Sequence, residues 1–215
     1  MKSLFFAGLI LVLGIVTNTN AQQPAIEPGV PLALAKWRAA NYSNVHYKLD
    51  ITLKKGVPLM TGTVEIGVDL TEEGAKYPLV LDWRTTPFAT DKDQPYAKVL
   101  EVNGLSRESR DASGTLALRS IENEHILIPT GLLRAGTNTI KIDFASPIKT
   151  SGAAVTRYVD KQDGGEYIYS LFVPSDASMA FPVFDQPDLK ARFQLTLTVP
   201  LDWQTISNTR SSRST

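Results

Sequence analysis

Two histidines, scattered carboxylates, hydroxyls and lysines are all that this chain offers for chemistry, because its 215 residues include no cysteine. That excludes disulfides, thiolate-ligated zinc, iron–sulfur clusters and thiol nucleophiles together. His46 and His125 lie far apart in sequence, each at the polar phase or the mouth of an alternating stretch, and no H-E-x-x-H is present. Zinc needs three or four ligands, usually two of them on one helix or hairpin, so no metal site is expected in this chain. Ser146-Pro147-Ile148-Lys149 has the S-x-x-K spacing of Ser/Lys acyl-transfer enzymes. That chemistry sets the serine at a helix start with the lysine one turn along, whereas this segment leaves a strand and carries a proline. Glu72-Glu73 and Asp91/Asp93 sit in turn-like, charge-mixed segments and read as solvated carboxylates rather than a glycosidase pair or a calcium loop. Asn41-Tyr42-Ser43 fits a glycosylation sequon. Trp37, Trp83 and Trp203 are expected to pack rather than to form a sugar platform.

Charge narrows the partners further. Lys+Arg and Asp+Glu number 22 each, so the formal net charge is zero, and 43% of residues are hydrophobic. These are globular proportions with no electrostatic footprint for nucleic acid. At the start, Lys2 precedes an apolar run from Leu4 to Val16 and then small polar residues ending at Ala21. Residues 1–21 are expected to be a secretory signal, since the run is short of the roughly 20 apolar residues of a span. The mature chain is therefore expected to be exported, periplasmic or secreted, with no membrane span after cleavage.

The remaining elements follow from periodicity. Residues 22–41 form a Pro-rich leader (Pro24, Pro28, Pro31) with room for a short helix over Leu32 to Ala40. From Val45 the apolar period becomes two: Val45, Tyr47, Leu49, Ile51 and Leu53, then Val64, Ile66, Val68 and Leu70 after the turn Lys55-Gly56-Val57-Pro58. Such alternation predicts two half-buried antiparallel strands. Further strands are expected at Pro78–Trp83, Lys98–Val102, Thr115–Arg119, His125–Ile128, Thr139–Phe144, Glu166–Val173 and Arg192–Val199. About nine or more strands with turn residues between them predict an all-β, antiparallel sandwich or saddle-like domain over 42–206. Residues 207–215 read as a Ser/Arg-rich tail.

The segment from Glu166 to Asn208 carries a resemblance. It runs E-Y-I-Y-S-L-F-V-P-S-D-A-S-M-A-F-P-V-F-D-Q-P-D-L-K-A-R-F-Q-L-T-L-T-V-P and then I-S-N. This closely resembles the end of the amino-terminal domain of the aminopeptidase N family of zinc-dependent gluzincin exopeptidases. Val45 to Leu49, Thr61 to Val64, Asn103-Gly104 and Leu127 to Pro129 agree with it as well, so the resemblance covers roughly Tyr42 to Asn208. It implies a saddle-like β domain that caps a thermolysin-like catalytic domain. That partner domain carries G-x-M-x-N, the zinc helix and a catalytic tyrosine, none of which occurs here. Zinc therefore belongs to the full-length family and is not expected to bind this chain, which would meet peptides only through a separate or missing catalytic domain and be inactive alone.

In the family, a Gln and an acid just before P-T-D-A help line the pocket for the substrate's first residue and free amine. The matching positions are Leu171 and Val173, both apolar, so the polar contacts are lost. Ser178, Val183 and Gln186 replace the family's Arg, Cys and Glu. Phe181 to Pro187 also reads as plain scaffold, with Phe181 and Phe184 in the core and Asp185 on loop backbone donors. The rival expectation is a free-standing extracytoplasmic binding or adhesion sandwich, which would need an exposed aromatic platform.

Overall fold

The period of two that begins at Val45 becomes a pair of long antiparallel strands, β1 (Tyr42–Thr52) and β2 (Leu59–Leu70), in a computed structural model that describes residues 22–85, 94–106 and 120–209. Successive side chains on a strand face opposite sides. Val45, Tyr47 and Leu49 are accordingly buried while Lys48 and Asp50 face solvent, and Val64, Ile66, Val68 and Leu70 are all buried on β2.

Nine more strands follow among the described residues: β3 (Leu79–Asp82), β4 (Tyr96–Val102), β5 (Leu105–Ser106), β6 (Ser120–Glu122), β7 (His125–Ile128), β8 (Gly136–Pro147), β9 (Val155–Val159), β10 (Glu166–Ser170) and β11 (Ala191–Thr198). They form a six-stranded sheet in the order β11-β1-β2-β8-β4-β5, a three-stranded sheet β3-β7-β6 and the hairpin β9–β10. Only β11 runs parallel to its neighbour, β1; the other ladders are antiparallel. The domain is all-β, as the alternation predicts.

Two sheets enclose the core. Val64, Ile66, Ile140, Ile142 and Phe144 of the large sheet meet Leu79, Leu81, Ile126 and Ile128 of the small one in a single cluster. The small sheet is covered on both faces, because Val80 and Leu127 on its other side pack against Leu34 of the helix α1 (Leu32–Asn41). That is why β3 and β7 read as continuous apolar runs instead of alternating. The helix buries Leu34, Trp37, Arg38 and Asn41, the i, i+3, i+4, i+7 stripe of an inward face. Gly62 marks the tightest approach in the large sheet: a Cβ there would lie 2.3 Å from the backbone oxygen of Asp50.

Some elements differ from expectation. Strands β5, β6 and β9 were not expected, the first two because two or three residues show no period. Strand β10 stops at Ser170, short of the expected Val173, because its partner β9 begins at Val155, directly opposite. The strand expected at Thr115–Arg119 lies outside the described residues, as do Asp91 and Asp93.

Candidate functional site

The inward face of α1 carries one charge, and it organises the most polar part of the interior. Arg38 is fully buried. Its guanidinium donates from Nη2 to Oδ1 of Asp82 at 2.6 Å and from Nη1 to Oδ2 at 2.8 Å, a two-pronged pair at the end of β3. The guanidinium carbon also lies 5.7 Å from the ring centre of Phe184. Burial pushes the Asp82 carboxyl up, but the Arg38 charge, His125 and the Asp185 amide outweigh it and hold it below the usual carboxylate range.

Around this pair the segment Phe181 to Pro187 is stitched to the sheets. Asp82 and Val183 exchange backbone hydrogen bonds of 2.8 and 3.2 Å. The Asp185 amide donates to Oδ2 of Asp82 at 2.7 Å, and the Phe184 amide donates to the Tyr47 hydroxyl at 3.0 Å. Gln186 donates to the carbonyl of Ala35 at 3.0 Å, tying the segment to the helix. Phe181 and Phe184 are buried, and the Asp185 carboxylate accepts from the Ser178 amide at 3.0 Å. Burial raises the Asp185 carboxyl above its ordinary value. The polar side chains of the segment, Asp185 and Gln186, thus serve the scaffold.

His125 is buried rather than at a polar mouth. Its Nε2 lies 2.9 Å from the Glu27 carbonyl and its Nδ1 2.8 Å from Oδ1 of Asp82, an ion-pair contact rather than a well-directed hydrogen bond. His46 is half-buried on β1, opposite Gly67. Among the described residues no three His, Asp or Glu side chains cluster to hold a metal, and both nitrogens of His125 face protein oxygens. The described residues do not fit a zinc ion.

Other chemistry-bearing residues are absorbed by packing. Ser146 is buried on β8 and donates to the Ala180 carbonyl at 2.7 Å. Asn41, in the sequon, donates from Nδ2 to the Trp37 carbonyl at 2.9 Å while Oδ1 accepts from Thr71 at 2.7 Å, so the amide nitrogen a glycan would need closes the helix instead. Trp37 and Trp83 are core residues.

The outer surface contrasts with this. Leu171 and Val173 are 60% and 74% exposed. They continue the phase of Tyr167 and Tyr169 on β10, which are 54% and 55% exposed. Tyr158, paired with Tyr167 across the hairpin, extends the row, its ring centre 6.2 Å from that of Tyr167. The loop after Val173 is fixed from below: Arg84 donates to the Ser175 carbonyl at 3.0 Å and pairs with Asp176 at 2.5 Å. Arg84, Asp82, His125 and Ser178 line a cavity of ≈ 280 Å³ whose opposite wall is Pro28 to Val30 of the leader.

The sequence reading missed Arg38 and Asp82. The signal was present: Arg38 falls on the apolar stripe of its helix, and Asp82 ends the run Leu79-Val80-Leu81.

Comparison with known proteins follows the same outline. Residues 43–215 match the family described as the peptidase M1 N-terminal domain. An aminopeptidase N of Streptomyces lividans is 32% identical over 158 residues, which is 70% of this chain and 17% of that protein. An aminopeptidase A of Gloydius brevicauda is 28% identical over 181 residues, 82% of this chain and 18% of the other. The chain thus spans less than a fifth of the length of these curated relatives. The fold is shared with the yeast leukotriene A4 hydrolase structure at a TM-score of 0.56 and 18% identity, over 80% of this chain and 27% of that one.

Proposed function

Since the chain belongs to the peptidase M1 N-terminal domain family, we propose that it is the non-catalytic cap of an exported zinc metalloaminopeptidase. The observation that carries the reading is the division of the surface from the interior. The segment Phe181 to Pro187 is wholly engaged in scaffold, whereas Tyr167, Tyr169, Leu171 and Val173 form an exposed apolar row of the kind that marks an interface. A thermolysin-like domain, on the same or another polypeptide, covers that row and supplies the zinc, which activates water beside a general base. This chain's part in removing amino-terminal residues is then to shape one wall of the substrate pocket. Leu171 and Val173 make that wall apolar, so the catalytic domain must bind the free amine. Export rests on Lys2 and the apolar run from Leu4 to Val16.

The test uses fluorogenic aminoacyl amides with zinc. The purified chain alone is expected to give no turnover, and mixing with the zinc domain of the same family from the same source should give a complex on gel filtration. Zinc-dependent release by the chain alone would overturn the reading. Amino-terminal sequencing of the exported product is expected to begin at Gln22.

A second reading has one observation in its favour. The exposed Tyr158, Tyr167 and Tyr169 are an aromatic platform of the sort a free-standing glycan-binding sandwich uses. Binding on a glycan array that is lost in Tyr169→Ala would support it over the first; an array without hits would remove it.

A further inference from the structure

The leader bends back over the three-stranded sheet, and the turn between β6 and β7 is what grips it. Asn123 donates to the Ile26 carbonyl at 2.7 Å, and the Glu124 carboxylate accepts from the Gly29 amide at 3.1 Å. His125 faces the Glu27 carbonyl at 2.9 Å. Three consecutive side chains thus hold three points of one irregular segment. Asn123 and Glu124 both adopt positive φ, 46° and 68°. That conformation is uncommon for residues other than glycine, and for Glu124 it is kept where it delivers a carboxylate to Gly29. The outermost point, Gln23, donates to the Pro78 carbonyl at 2.8 Å.

The grip has a chemical condition. Both oxygens facing the His125 ring, the Glu27 carbonyl and the Asp82 carboxylate, only accept hydrogen bonds. A neutral imidazole carries one N–H and one lone pair, so it would set a lone pair against an oxygen at 2.8 or 2.9 Å. The imidazolium donates from Nε2 to Glu27 and sets its charge against Asp82, whereas a neutral ring that keeps its proton on Nδ1, beside the carboxylate, turns the Nε2 lone pair on the Glu27 carbonyl. We propose that residues 22–31 form a strap that His125 holds closed over the cavity while its ring carries two protons, and that loss of the Nε2 proton releases the strap.

The charges around the ring agree with this. Asp82 on β3 favours the charged ring and Arg38 on α1 opposes it, but Arg38 is itself neutralised by both Asp82 oxygens. Glu124 on the same turn and Arg84 beyond β3 face the shared cavity; Glu27 meets the ring through its carbonyl, and Asp185 reaches Asp82 through its amide. Burial disfavours the charged His125, yet the Asp82 and Glu27 contacts outweigh it and raise the ring above its ordinary value. The sign follows: the strap is held below that raised value and freed as pH rises through it.

The experiment measures the purified chain by NMR across pH 5 to 9, following the two histidine rings and the hydrogen-exchange protection of the Gly29 amide, with a core amide such as Ile142 as control. His125 should titrate above about 6.5, and Gly29 protection should fall about tenfold or more through that titration while Ile142 stays protected. In His125→Phe, Gly29 should be weakly protected at every pH. A His125 that is neutral at pH 6, or Gly29 protection that does not change as His125 titrates, would overturn the proposal. Both readouts come from the unaltered chain, so a variant that fails to fold leaves the test intact.

Discussion

The Arg38–Asp82 cluster and the outer face of the β9–β10 hairpin reverse the usual placement of residue types. The first puts a full ion pair inside, with Arg38 wholly buried. The second puts Tyr158, Tyr167, Tyr169, Leu171 and Val173 outside, each more than half exposed. The buried pair is tolerable because each Asp82 oxygen accepts two contacts, from Arg38 together with His125 or with the Asp185 amide. The exposed row has no such compensation within the described residues. The lesson is that polar residues buried with partners are held by the fold itself, whereas the exposed apolar row is held by nothing that the fold requires of it.

Breaking the inner region should cost most. Arg38→Met leaves Asp82 charged and underpaired, and urea denaturation should show a loss of about 3–5 kcal/mol. The double variant Arg38→Met/Asp82→Leu should recover only part of this, because the Asp185 amide and His125 lose their acceptor. Full recovery would mean that the cluster is a simple pair. Gly62→Ala tests the sheet beneath: its methyl would meet the Asp50 backbone oxygen, and overpacking of this kind costs about 1–3 kcal/mol. A melting temperature equal to that of the parent chain would show that β1 and β2 can part at no cost.

The pH dependence is a smaller effect with a definite shape. Asp82 is held low, so its contribution is present above about pH 3.9 and is lost as pH falls through its folded value. His125 is held high, so its contribution is present below about 6.5 and is lost as pH rises through its folded value. Urea midpoints should therefore be highest between these limits, and a midpoint still rising above pH 8 would contradict the assignment. The outer region should show the smallest change in stability. Tyr169→Ser and Leu171→Ser should stay within about 0.5 kcal/mol of the parent, yet weaken capture of the zinc domain in a pull-down. A large loss of stability instead would place the row in the fold.

How far the sequence could be read differs between these regions. Val45 to Leu53 and Val64 to Leu70 announced their strands because one face of each is buried, and burial imprints a period of two. The motif Phe181 to Pro187 was legible as scaffold, and the roles of Phe181, Phe184 and Asp185 are those the residues suggested. Gln186 was legible only as the replacement of the family's Glu; its bridge to Ala35 on the helix was not. His125 was misplaced because alternation near a strand end cannot tell a polar mouth from a site covered by the leader.

Local periodicity and composition, then, were enough to determine an all-β domain, since both depend on residue types and short spacings. The tertiary structure alone decided that Arg38, Asp82 and His125 meet. They come from a helix and two strands remote in sequence, and a charged residue on an apolar stripe declares its partner only when the layers close. It decided as well that Tyr167, Tyr169, Leu171 and Val173 stay outside while Ile168 and Phe172 between them turn to the core. The same alternation would suit a covered strand, and only the packed sheets show which side has nothing over it.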